Sequence, residues 1–188
     1  MVISTSKVIV SWSGGKDSLM ALRKLPPEYE VAALLTNLDR EQNRVSIHRV
    51  RRPLIEAQAV ALGHPLEFIE LPPQPTNTEY ESRITASIMP FRAKGIGDVV
   101  YGDLFLEDIR RYRDGYLDGV GMHGLYPLWG LDTYALIREF IDGGFKALIT
   151  CVDTTQLDGA FVGGSACAHR SLRDAGGAAS GLHHHGAR

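Results

Sequence analysis

Short apolar runs recur along the chain, each followed by a stretch with apolar residues at helical spacing. The runs "KVIVSW" (7–12), "VAALLTNL" (31–38), "LEFIEL" (66–71), "VVYGDLF" (99–105), "LYPLW" (125–129) and "ALITCVD" (147–153) predict strands. Most are continuous rather than alternating, as in strands covered on both faces. Between them, "DSLMALRKL", "RRPLIEAQAVAL", "NTEYESRITASIMPFRAKG", "EDIRRYRDGYLDGV" and "DTYALIREFIDGG" predict helices, several opening on Asp or Asn and closing on Gly. Strand alternating with helix predicts an α/β fold, a parallel twisted sheet with helices on both faces. "LPPQPTNTEY" (71–80) carries three prolines and predicts a rigid loop leading to a helix cap.

From residue 164 the character changes. Glycine and alanine dominate, and Leu172 and Leu182 are the only large aliphatics. The expected organisation is one domain over 1–163 and a disordered tail over 164–188. His183, His184 and His185 are consecutive and cannot share one helical face, so adventitious metal affinity is expected there rather than a site.

Composition narrows the picture modestly. The chain has 188 residues, enough for one substantial core, and a net charge of −2 with no polybasic block. That argues against an extended nucleic-acid surface, which needs clustered Lys and Arg. Cys151 and Cys167 form no C-x-x-C and have no metal-ligand spacing. No signal-peptide pattern or membrane-length apolar run occurs, so a cytoplasmic protein is expected.

The chemistry concentrates in "VSWSGGKDSL" (10–19). In a parallel sheet, ligands sit beyond the carboxyl ends of the strands, and this loop follows the first strand and opens a helix. Gly14 and Gly15 let backbone approach an anion, and helix-start N–H groups point at it. Lys16 adds a point charge, Ser13 and Ser18 add hydroxyls, and Asp17 suits a magnesium ion rather than bare phosphate. A Walker A loop is excluded, since Val10 stands where its first Gly belongs and Asp17 follows the lysine. The G-x-G-x-x-G fingerprint fails as well, because the glycines are adjacent.

"SGGKDS" resembles the PP-loop of ATP pyrophosphatases, the group that includes GMP synthetase and asparagine synthetase. "RVSIHRVRRPLIEAQAVALGHPL", "YGDLFLEDIRRYR", "YPLWGLDTYALIREFIDGGFKALITCVD" and "LDGAFVGG" resemble, in order, the diphthine–ammonia ligase family over about residues 7–163. The resemblance implies a Rossmann-like fold of the adenine nucleotide alpha hydrolase-like superfamily, with ATP and magnesium as cofactors. It implies that ATP is cleaved between the α and β phosphates, that a carboxylate is adenylated, and that ammonia then forms an amide. Ser11, Ser13, Gly14, Gly15, Lys16, Asp17, Ser18, Thr36, Asn37 and Gly102 would hold the nucleotide, with Asp17 on the metal. Lys16, Asp17, Asp103, Glu107 and Arg111 would be catalytic, and His48, Asp108 and Trp129 would meet the acid substrate. That substrate would be diphthine on elongation factor 2, or a small molecule in bacteria; a homodimer is a further expectation.

The family continues to a "GR" pair and a segment containing "ENGEFHT". Here Gly164 stands at the arginine position and no such segment follows. A truncated or frameshifted end is the reading, and it implies an alternative: nucleotide binding without ligase turnover. A tRNA-thiolating PP-loop enzyme is disfavoured by the absence of paired catalytic cysteines and of a basic surface.

Overall fold

The computed structural model describes residues 5–166. Backbone contacts gather them into two compact units, one running to Leu131 and one from Asp132 onward. The tail expected from residue 164 lies outside the described residues from Cys167 on, as do His183, His184 and His185.

The first unit alternates strand and helix: β1 (Ser6–Ser11), α1 (Lys16–Arg23), β2 (Tyr29–Asp39), β3 (Arg44–Val45), α2 (Arg52–Leu62), β4 (Leu66–Leu71), α3 (Asn77–Ala93), β5 (Asp98–Val100), α4 (Glu107–Asp118) and β6 (His123–Leu125). β4, β2, β1, β5 and β6 lie side by side, all parallel. β3 pairs antiparallel with the last residues of β2, Leu38 and Asp39, beyond the end of β1. The α/β, Rossmann-like class expected from the alternation is the one observed. Strand order reverses between β1 and β5, so the crevice above their carboxyl ends is the topological switch point.

Alternation along the strands divides the core. Ile9, Ala33, Leu35, Ile69, Val99 and Tyr101 join Ile84, Ile88 and Phe91 of α3 and Leu117 of α4 in one buried cluster. Val8, Val10, Leu34 and Val100 take the opposite face, and Met20, Ala21, Ile55 and Ala59 are what α1 and α2 bury. The three-proline loop ends in a capping box: Thr76 accepts from the Glu79 N–H while Glu79 accepts from the Thr76 N–H.

Three predicted strands are shorter than their apolar runs. β5 stops at Val100; the Tyr101 N–H still donates to the Leu125 carbonyl at 2.8 Å, and Gly102 and Asp103 lead on towards α4. β6 covers only His123–Leu125, because Pro127 offers no N–H to a ladder and a turn closes from Trp129 N–H to Tyr126 C=O at 3.0 Å. The "ALITCVD" run is corrected more fully. Only Ala147–Leu148 is a strand (β7), and it pairs antiparallel with β8 (Ser165–Ala166) in a separate two-stranded sheet of the second unit. An apolar run of that length does not reveal its direction or partner. Among its described residues the second unit also holds α5 (Thr133–Asp142), capped by Asp132 at 2.7 Å from the Ala135 N–H, and a short 3-10 turn at Gly159–Phe161.

Candidate active site

The loop after β1 is drawn tight by its own small side chains. The Gly15 N–H donates to Ser13 Oγ (3.3 Å), Ser13 Oγ donates to Ser18 Oγ (3.2 Å), and Ser18 Oγ donates to the Gly15 carbonyl (3.0 Å). From α2, Gln58 clamps the loop on both sides. It accepts from Trp12 Nε1 at 3.1 Å and donates to the Gly14 carbonyl at 3.2 Å. Gly14 has φ +76°, which strains any other residue, and a Cβ there would lie 2.4 Å from Ile55 Cδ1 and 2.9 Å from Gln58 Oε1, so those side chains would have to move aside. No side chain caps α1, whose N-cap is Gly15. Its first-turn N–H groups are thus the donors an anion would meet. Lys16 Nζ donates to Asp17 Oδ1 in the same turn.

The end of β2 forms the neighbouring wall. Thr36 is buried and its hydroxyl donates to the Trp12 carbonyl (2.7 Å), tying β2 to the loop. Asn37 donates to Tyr80 OH at 3.3 Å. A cavity of about 30 Å³ lies between Ser11, Trp12, Ser13, Asn37, Val45 and Ile47. His48 is exposed with its ring against the loop: a Cβ on Gly15 would sit 3.1 Å from Nε2.

The opposite wall follows β5. A Cβ on Gly102 would come within 2.8 Å of the Asp17 backbone carbonyl and 3.0 Å of the Ser18 N–H, so glycine lets this strand end press on the first turn of α1. Asp103, next in the chain, accepts from Arg113 of α4. Burial pushes the Asp103 carboxyl up, Arg113 opposes that, and the charge of Asp17 adds to the rise. Arg113 also lies over the Tyr101 ring at 4.3 Å, and the Tyr101 and Tyr116 hydroxyls share a hydrogen bond of 2.7 Å. Burial drives the Tyr101 phenol well above its ordinary value and the Tyr116 phenol up to about 12. A second cavity, about 20 Å³, opens among Ser11, Asn37, Tyr80, Tyr101 and Tyr116.

The residues expected from the sequence are not all brought together. Ser11 ends β1, Ser13, Gly14, Gly15, Lys16, Asp17 and Ser18 form the loop and the first turn of α1, Thr36 and Asn37 lie near the end of β2, and Gly102 and Asp103 follow β5, with Ser18 and Thr36 buried. Glu107 and Arg111 pair with each other at 3.5 Å, both 77% exposed, and it is Arg113 that meets Asp103. On a helix, positions 111 and 113 point about 200° apart. Asp108 is exposed in the first turn of α4. Trp129 is half-buried and meets Tyr126 edge to face, and the Arg110 guanidinium lies 4.6 Å from the Trp129 ring and 4.7 Å from the Tyr126 ring. Sequence reasoning missed Gln58, Arg113 and the tyrosines. Helix phase was the signal for Arg113, one turn before the buried Leu117; Gln58 lies 44 residues from the loop and gave none.

Among the described residues no group of three or more His, Cys, Asp or Glu is arranged to hold a metal, and no helix is long and apolar enough to cross a membrane. Asp17 and Asp103 nevertheless offer the hard carboxylate oxygens that magnesium takes, beside N–H donors for its phosphates.

The family profile of the diphthamide synthase N-terminal domain matches residues 6–123, more than half of the chain. No curated protein matches. Among solved structures, a protein described as a predicted subunit of tRNA methyltransferase from Methanocaldococcus jannaschii is similar with a TM-score of 0.50 and 18% identity, over 76% of this chain and 80% of that one. That likeness supports the fold alone. With a "SGGKDS" loop at the switch point and a profile match that spans both walls of the crevice, the chain belongs to the diphthamide synthase family of PP-loop ATP pyrophosphatases.

Proposed function

We propose that the protein is an ATP-dependent amide ligase of diphthine–ammonia ligase type. It would adenylate a carboxylate with release of pyrophosphate and let ammonia displace AMP. The observation that carries this is the loop from Ser13 to Ser18. Its uncapped helix start and its glycine, forced to φ +76°, leave backbone N–H groups facing the crevice. Such donors stabilise the charge that grows on a departing pyrophosphate.

Lys16 would sit on the β and γ phosphates, and Ser13 and Ser18 would donate to their oxygens. Thr36 and Asn37 would border the adenine through backbone atoms beside the cavity at Ser11 and Trp12. Asp17 would hold magnesium, which when bound spreads the negative charge of the triphosphate. Trp129 and the exposed Glu107, Asp108 and Arg111 are assigned to the rim that meets the acid substrate, and His48 to the loop's outer side. Arg111 is the group suited to pair with a carboxylate. The family supports ATP use and adenylation; the nitrogen donor, the acid and a homodimeric state belong to this proposal.

Hydroxylamine trapping tests the reading. With ATP, magnesium and a diphthine-bearing elongation factor 2, the adenylate should be captured as a hydroxamate, and ammonia should suppress that capture. Magnesium-dependent binding of ATP with no hydroxamate and no ammonia-dependent AMP from that substrate would favour the second reading, nucleotide binding without ligase turnover.

A further inference from the structure

The wall opposite the loop holds a charged pair in which Arg113 has so far been given no role. Arg113 Nη1 donates to Asp103 Oδ2, and the two side chains are only 19% and 14% exposed. Charges this far from water persist when each is fixed by a partner. The guanidinium is fixed twice, by the carboxylate and by the face of Tyr101 at 4.3 Å. Tyr101 is held in turn by the Tyr116 hydroxyl at 2.7 Å and by stacking on Tyr126 at 5.7 Å. Only a planar guanidinium can stack and donate at once, so lysine would do half of this work.

The pair also has a defined position relative to the loop. Gly102 presses so closely on the backbone of Asp17 that a Cβ would have no room, and Asp103 is the next residue. Among the described residues, the hydrogen bond that Asp103 accepts falls on Oδ2, so Oδ1 is the oxygen a further ligand would take.

We propose that Arg113 is a positioning residue that holds Asp103 beside Asp17, as a second carboxylate directed at the divalent cation accompanying the nucleotide phosphates. The inference rests on the reading of the loop as an ATP site. A pair that merely stapled α4 to the end of β5 would stabilise the fold without affecting cation affinity.

The test uses the full chain, manganese as a spectroscopic probe, and the non-hydrolysable α,β-methylene analogue of ATP. Arg113→Met should raise the half-saturating manganese concentration at least tenfold, while affinity for the analogue without divalent cation changes less than twofold. Asp103→Asn should give a similar rise, and the double variant little more, because both act on one ligand. Arg113→Lys should recover part of the loss. If Arg113→Met does not fold, Arg113→Lys and Asp103→Asn carry the comparison. Manganese affinity like the wild type in those folded variants would overturn the inference and leave the ATP reading standing. Failure of the unmodified chain to bind the analogue in a metal-dependent way would instead remove the ATP reading beneath it.

Discussion

On one side of the crevice, Ser13, Gly15 and Ser18 close a loop through bonds that span two to five residues. On the other, Asp103 and Arg113 meet across ten residues of chain, and Tyr101 and Tyr116 across fifteen. The loop offers backbone N–H groups and small side chains, Ser13 half-buried and Ser18 buried. The wall works through buried charges and phenols that also fill the core between β5 and α4. Changes in the loop should therefore alter ligand affinity and spare the fold, whereas changes in the wall should alter both.

The largest effect on stability is expected at the wall. Arg113→Ala leaves the Asp103 carboxylate buried without its partner, at a cost of about 3 kcal/mol, measured by chemical denaturation. A loss under 1 kcal/mol would mean the wall is no more integrated than the loop.

Alkaline pH probes the same wall through its phenols. Burial first, then neighbouring Tyr80, pushes Tyr116 up to about 12. The unfolded chain ionises this phenol near pH 10 while the folded chain keeps it protonated. Stability is therefore full below pH 10 and declines from about 10 to 12, by an amount on the order of 2 kcal/mol. Tyr116→Phe should flatten that decline. Since Tyr101, Tyr112, Tyr116 and Tyr126 are all raised, four of the seven tyrosines should titrate late by ultraviolet absorbance. Titration of all seven together near 10 would contradict the buried wall.

The loop should show the reverse pattern. Lys16→Ala should lower ATP affinity at least tenfold, about 1.4 kcal/mol, with the unfolding free energy unchanged to within about 0.5 kcal/mol. A variant that binds ATP normally by calorimetry would remove the lysine from the site.

Smallest of all is the expected stability effect of Arg111→Ala. The residue pairs with Glu107 in the open, and exposed pairs one helical turn apart contribute only about 0.3–0.5 kcal/mol. This variant sharpens the comparison because it separates the rim from the wall: a large fall in carboxylate-dependent turnover with unchanged melting would assign Arg111 to the substrate.

The same contrast decides what could be read in advance. Ser13, Gly14, Gly15, Lys16 and Ser18 are neighbours in the chain, so the pattern that made them candidates is contained in six letters. The parallel order followed from continuous apolar runs, although β3, two residues long, was too short to leave a pattern. In "EDIRRYR", by contrast, three arginines compete, and helix phase alone separates Arg111, facing solvent with Glu107, from Arg113, facing Asp103. The phase is set by Leu117, buried one turn later, so the clue lay outside the motif. Gln58 escaped because nothing local links α2 to Trp12 and Gly14. The second unit's strands escaped because β7 pairs with a segment past residue 163, where the sequence shows no strand pattern.

The central claim, that the Ser13–Ser18 loop grips a leaving pyrophosphate, is tested most directly by the fate of labelled ATP. With label at the α and γ phosphorus atoms, any turnover by the full chain should yield labelled AMP and labelled pyrophosphate, and Lys16→Ala should lose both together. Labelled ADP with free orthophosphate would contradict the account.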